Sequence, residues 1–89
     1  MDELKKYREM IDRLDKELVD LFIERMNVVT GIADYKKNKG LPIYDQNREK
    51  AVIEKVKSYT TDDSMKEPVA RLYTSIMEIS KDIQNARNK

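Results

Sequence analysis

Leu4, Tyr7, Ile11, Leu14, Leu18, Leu21, Val28, Ile32 and Tyr35 follow one another at alternating steps of three and four residues, with one double step from Leu21 to Val28. A seven-residue repeat of this kind is the seam of a helix packed lengthwise on another helix. At a rise of ~1.5 Å per residue, a helix of about 37 residues is ~55 Å long. A compact chain of 89 residues has a radius of gyration near ~12 Å and a diameter of roughly 31 Å. The helix therefore overhangs any globule its own chain can build, and the rest of the chain covers it only loosely. A second copy with a matching long helix solves the problem, which predicts an intertwined homodimer.

Two breaks punctuate the remainder. Lys39-Gly40-Leu41-Pro42 is a helix stop followed by an extended dipeptide, and Tyr59-Thr60-Thr61-Asp62-Asp63-Ser64 is a polar loop. They predict one all-α domain over residues 1–89, a three-helix protomer with helices at about 3–39, 46–58 and 65–87. Asp45 is a natural N-cap for the second helix. Ser64 and Glu67 are spaced as a capping box for the third, with Pro68 able to shift its start by a turn.

The charges nearly cancel, at +1 overall, which argues against a nucleic-acid binder. The chain contains no Cys and no His. Thiolate nucleophiles, zinc–thiolate sites and Ser-His-Asp triads are therefore excluded. Two glycines are too few for a dinucleotide-binding loop. No apolar stretch is long enough for a membrane span or signal peptide, so a cytoplasmic protein without membrane contact is expected. Any chemistry rests on Arg, Lys, Asp, Glu, Ser, Gln or Tyr.

Several residues break the apolar pattern. Arg25 occupies a seam position between Leu21 and Val28. Such an arginine either runs its charge out to water along its stem or holds a guanidinium for an anionic ligand, because an unpaired buried charge is costly. Lys36 lies eleven residues on, about 20° round the helix and ~16 Å along it. Alone, it is a basic helix C-terminus; with Arg25 it converges on a small molecule between them. Arg8 borders the seam near the other end, either as a solvated flank or as a third cation. Glu49 shares a face with Val52, Ile53 and Val56, as a first-turn acid favoured by the helix dipole or as an inward carboxylate. The apolar stripe of the third helix, Val69, Leu72, Tyr73 and Ile76, continues into Ser80 and Gln84, which face the same way one turn apart. Taken together, these residues describe a helical core built to bind a small polyanion, with no evident nucleophile or tuned acid–base pair.

Tyr7-Arg8-Glu9-Met10-Ile11-Asp12-Arg13-Leu14-Asp15 and Leu21-Phe22-Ile23-Glu24-Arg25-Met26 resemble the opening of the all-helical chorismate mutases. Ala33-Asp34-Tyr35-Lys36 and Leu41-Pro42-Ile43-Tyr44-Asp45-Gln46-Asn47-Arg48-Glu49 resemble their central segment, and Ile76-Met77-Glu78-Ile79-Ser80-Lys81-Asp82-Ile83-Gln84 their closing helix. The resemblance spans nearly the whole chain, in the right order.

It implies an entwined homodimer with two active sites, which converts chorismate to prephenate by a Claisen rearrangement in the biosynthesis of phenylalanine and tyrosine. No cofactor, metal or covalent intermediate is expected. By position, Arg25 is expected to bind one substrate carboxylate, assisted by Arg8 from the other subunit. The ~25 Å between these two arginines along one helix agrees with that division. The resemblance gives Arg48 the second carboxylate and Lys36 both that carboxylate and the ether oxygen. Gln84 becomes the other ether-oxygen donor. Asp45 and Glu49 become contacts to the ring hydroxyl, Asp45 through side chain or backbone, and Ser80 a further polar contact. The catalytic set is thus Lys36, Gln84 and Glu49. Isochorismate–pyruvate lyases share this fold but depart at Asp45-Gln46-Asn47-Arg48-Glu49 and at Ser80. A silent dimerisation module accounts for the seam but not for Arg25, Glu49, Ser80 and Gln84 together.

Overall fold

The computed structural model describes residues 2–88. It contains three helices and, among the described residues, no strand: α1 (Asp2–Lys39), α2 (Gln46–Lys57) and α3 (Asp63–Arg87). None of them is long and apolar enough to cross a membrane.

α1 ends where the sequence places the stop, and the geometry explains why. Gly40 adopts φ +67°, its N–H donates to the Lys37 carbonyl at 3.3 Å, and the Leu41 N–H donates to the Lys36 carbonyl at 2.8 Å. This is a Schellman closure, which needs a left-handed residue that glycine adopts without a Cβ penalty. α2 begins as expected: the Asp45 side chain accepts from the Arg48 N–H at 3.0 Å. It ends one residue earlier than expected, at Lys57, with Ser58 as C-cap.

The start of α3 corrects the sequence reading. The helix begins at Asp63, and its N-cap is Asp62 rather than Ser64. Asp62 Oδ1 accepts from both the N–H (3.0 Å) and the hydroxyl (2.6 Å) of Ser64. The Ser64 backbone donation lowers the Asp62 pKa further, the side-chain bond being the larger cause. Pro68 lies inside the helix and does not delay its start, because the aspartate cap acts upstream of it.

α3 packs against both other helices, while α1 and α2 make no backbone contact with each other. The pairs Arg25–Tyr73, Met26–Ser80 and Asp34–Arg87 advance together, so α1 and α3 run parallel. Glu49 meets Lys81 near the start of α2, while further along Val52 and Val56 form the core with Met77, flanked by Ile53, Val69 and Tyr73; α2 and α3 are antiparallel. Met77, not Leu72, is the buried member of the α3 stripe, because α3 must turn its apolar residues toward two partners at once. At the far end Arg87 Nε and Nη2 donate to the two carboxylate oxygens of Asp34 at 2.9 and 3.0 Å, tying α3 to α1.

α1 carries two stripes. Met26, Val29 and Ala33 are its buried residues, at steps of three and four, and they meet α3. The seam lies beside them, since neighbouring residues are about 100° apart on a helix. All nine apolar seam side chains are 43–63% exposed, and no residue from Asp2 to Leu21 is buried. The radius of gyration is 16.4 Å and the long dimension 56 Å, well beyond the ~12 Å radius of a compact chain of this length.

Candidate active site

The C-terminal half of α1, the start of α2 and the C-terminal half of α3 enclose a cavity of about 240 Å³, at the small end of ligand pockets. Arg25, Lys36, Asp45, Arg48, Glu49, Ser80 and Gln84 line it, with Val29, Ile32, Ile43, Val52 and Met77 as apolar wall. Seven of the eight residues singled out in the sequence thus meet at one place. Arg8 does not: it is exposed on the part of α1 that no other element of the chain covers.

Several of the polar side chains are held by a local cause. Arg25 is half-buried where α1 passes α3. Its Nη1 donates to Ser80 Oγ at 3.1 Å, and its guanidinium lies 5.8 Å from the centre of the Tyr73 ring. Ser80 in turn donates to the Ile76 carbonyl at 2.8 Å, which fixes the hydroxyl as an acceptor for the arginine. A guanidinium has five N–H donors; one is used here, and the remainder are available to an anion. Arg25 is thus partly buried, its guanidinium turned against α3 rather than extended into solvent.

Lys36 stands in the last turn of α1 and donates to the Ile43 carbonyl at 2.9 Å. That bond draws the connecting segment over the cavity and leaves two of three ammonium donors. Asp45 commits Oδ1 to the α2 cap, and its carbonyl accepts from the Glu49 N–H at 3.0 Å. The same capping turn therefore sets Asp45, Arg48 and Glu49 around the cavity.

Gln84 is 7% exposed, and its Oε1 is buried without a hydrogen-bond partner. Orphaned polar atoms of this kind are rare and costly. A half-turn of the amide exchanges its oxygen and nitrogen, so the side chain offers either an acceptor or a donor without moving the helix.

Lys81 also lines the cavity, and sequence reasoning passed over it. Its Nζ pairs with Glu49 Oε2 at 3.2 Å and lies 4.7 Å from the centre of the Tyr44 ring. The signal was its place three residues before Gln84, on the same side of α3. With it, four cations (Arg25, Lys36, Arg48, Lys81) face two carboxylates (Asp45, Glu49), an excess of two positive charges that suits a dianion.

The chorismate mutase type II family model matches residues 7–85. The T-protein of Haemophilus influenzae is 43% identical over 54 residues, covering 61% of this chain and 14% of that protein. The bifunctional chorismate mutase/prephenate dehydratase of Aquifex aeolicus is 39% identical over 56 residues, 63% of this chain and 16% of that protein. The chorismate mutase of Methanocaldococcus jannaschii is 25% identical over 85 residues, 94% of this chain and 86% of that protein. The chain thus spans about a seventh of the first two relatives and most of the third. No solved structure matches it significantly.

Proposed function

The chain belongs to the chorismate mutase type II family, and from that premise we propose that it rearranges chorismate to prephenate in aromatic amino acid biosynthesis, as an entwined homodimer with two sites. The observation that carries this reading is the cavity itself: two cations held in place, Arg25 and Lys36, line it together with Arg48, Glu49, Ser80 and Gln84, whose buried Oε1 has no partner.

The reaction breaks the ether C–O bond while a C–C bond forms within one molecule, so no group leaves and no proton need be transferred. Two demands follow. The substrate must be held in a compact, chair-like conformer, which clamping both carboxylates achieves. Negative charge developing on the ether oxygen must be met by donors already in place. We assign the first carboxylate to Arg25 and to Arg8 of the partner subunit, and the second to Arg48 and Lys36. Lys36 and Gln84 donate to the ether oxygen. Glu49 and Asp45 receive the ring hydroxyl, Asp45 through the groups its cap leaves free, and Ser80 keeps Arg25 aimed.

Support for the dimer comes from α1. Its seam is uncovered over the whole length of the helix, and Arg8 borders that seam about 25 Å from Arg25, beyond reach of the same ligand in one chain.

The test is loss of chorismate followed by ultraviolet absorbance, with the product identified. Prephenate is the expected product. Release of pyruvate instead identifies a lyase, and no turnover refutes the assignment.

A further inference from the structure

Three pieces of chain meet at Lys81. The lysine comes from α3, its carboxylate partner Glu49 from α2, and the Tyr44 ring from the connection between α1 and α2. The other ion pairs among the described residues are more exposed. Lys16 and Asp20, for example, have side chains 79% and 63% exposed, and such pairs order little. The side chains of Lys81 and Glu49 are 30% and 27% exposed, and the lysine is confined by the ring as well as by the carboxylate. The pair stands in the wall between the cavity and an outer groove of α2 and α3 that Tyr44, Glu49 and Lys81 also line.

We propose that Lys81 is a positioning residue for Glu49: it holds one carboxylate oxygen so that the other faces the ligand. This rests on the reading of the cavity as a chorismate mutase site. Glu49 has three rotatable side-chain bonds, and the ion pair at 3.2 Å from Oε2 to a lysine that also lies 4.7 Å from the centre of the Tyr44 ring restricts them and leaves Oε1 without an ion-pair partner. A carboxylate ordered before the ligand arrives spares the ordering of one flexible side chain, worth roughly three- to tenfold in affinity.

Lys81→Met keeps the apolar stem and removes the charge; Lys81→Arg keeps the charge. The full-length wild type and both variants are assayed for kcat and KM with chorismate. The affinity of a bicyclic dicarboxylic transition-state analogue is measured by calorimetry for wild type, Lys81→Met, Glu49→Gln and the double variant, so that the cycle does not depend on turnover. Lys81→Met is expected to raise KM and the analogue Kd at least roughly three- to tenfold, and Lys81→Arg to recover most of that loss. In the Glu49→Gln background the loss from Lys81→Met should be several-fold smaller, since only the direct attraction between the Lys81 charge and the dianion, common to both backgrounds, remains.

An equal loss in both backgrounds overturns the proposal, because Lys81 then acts on the ligand or on the fold directly. An unchanged KM in Lys81→Met overturns it as well, as does a lowered melting temperature with kcat and KM falling together. A wild type that does not consume chorismate refutes the functional reading itself, before any variant is compared.

Discussion

Leu18→Asp places a carboxylate in the middle of the uncovered seam, and its effect follows from surface already described. The protomer exposes 7349 Å², against roughly 5,400 Å² for a compact monomer of this size. The excess is about 1,900 Å² per protomer, or about 3,800 Å² per pair, within the range of obligate homodimers. Leu18 is 60% exposed; covering that fraction of a leucine is worth roughly 1.5 kcal/mol, or about 3 kcal/mol for both copies. The substitution loses this and adds two carboxylates that must be desolvated at several kcal/mol each. A total of 5 kcal/mol or more raises the dissociation constant by at least about 10³-fold. Sedimentation equilibrium at micromolar concentration should give twice the chain mass for wild type and a monomer for Leu18→Asp. The variant should also lose helical circular dichroism from the N-terminal part of α1 and lose turnover. A Leu18→Asp protein that stays dimeric and active, or a monomer that still turns over chorismate, refutes the argument.

Arg8→Ala and Arg25→Ala should each be nearly inactive as homodimers, while mixing them should restore up to one working site per mixed dimer; absence of recovery on subunit exchange means the two arginines do not serve one site from opposite chains. Loss of Gln84 to Ala should lower the rate constant ~10²–10³-fold with a smaller effect on binding, read from saturation kinetics. Gln84→Glu should be active mainly at low pH, where a protonated acid can donate to the ether oxygen, and should fade as it ionises; full activity at pH 8 removes Gln84 from that oxygen. Asp34 has its pKa lowered, first by the hydrogen bonds from Arg87 and then by the charges of Arg87 and Lys37. A depressed folded pKa stabilises fully above the ordinary carboxylate value of about 4 and is lost as pH falls through the lower folded value. Asp34→Asn should therefore lower the melting temperature at pH 7, and the difference from wild type should close below pH 4 in a thermal melt series; a difference that persists there refutes the linkage.

Local signals in the sequence survived translation into structure, and divided ones did not. The Gly40 stop and the Asp45 cap depend on a few adjacent residues, so both are readable from the chain. The α3 cap was missed because Thr60, Asp62 and Ser64 all offer side-chain oxygens, and only their mutual bonding selects Asp62. The strict repeat of α1 hid the stripe of Met26, Val29 and Ala33 that meets α3. On α3, facing two partners brought in Met77 and left Leu72 outside. Arg25, Glu49, Ser80 and Gln84 were visible because each interrupts an apolar pattern, Lys36 because it lies near Arg25 round the helix, and Asp45 and Arg48 through a cap and a family motif; Lys81 interrupts none and looks like an ordinary exposed lysine. What each cavity residue does to a ligand came from family resemblance and remains with the proposal.

The bare stretch of α1 also bears on how the protein is made. Helices of about 20 residues are marginal in water without something to pack on, and from Asp2 to Leu21 the chain supplies nothing. If a second copy supplies it, the last step of folding is a collision between two polypeptides and is second order in chain concentration. Regain of activity after dilution from denaturant then slows in proportion to dilution, however fast each chain forms its own helix contacts. The rate of synthesis, as well as the sequence synthesised, thereby sets how soon a new chain acquires a complete site.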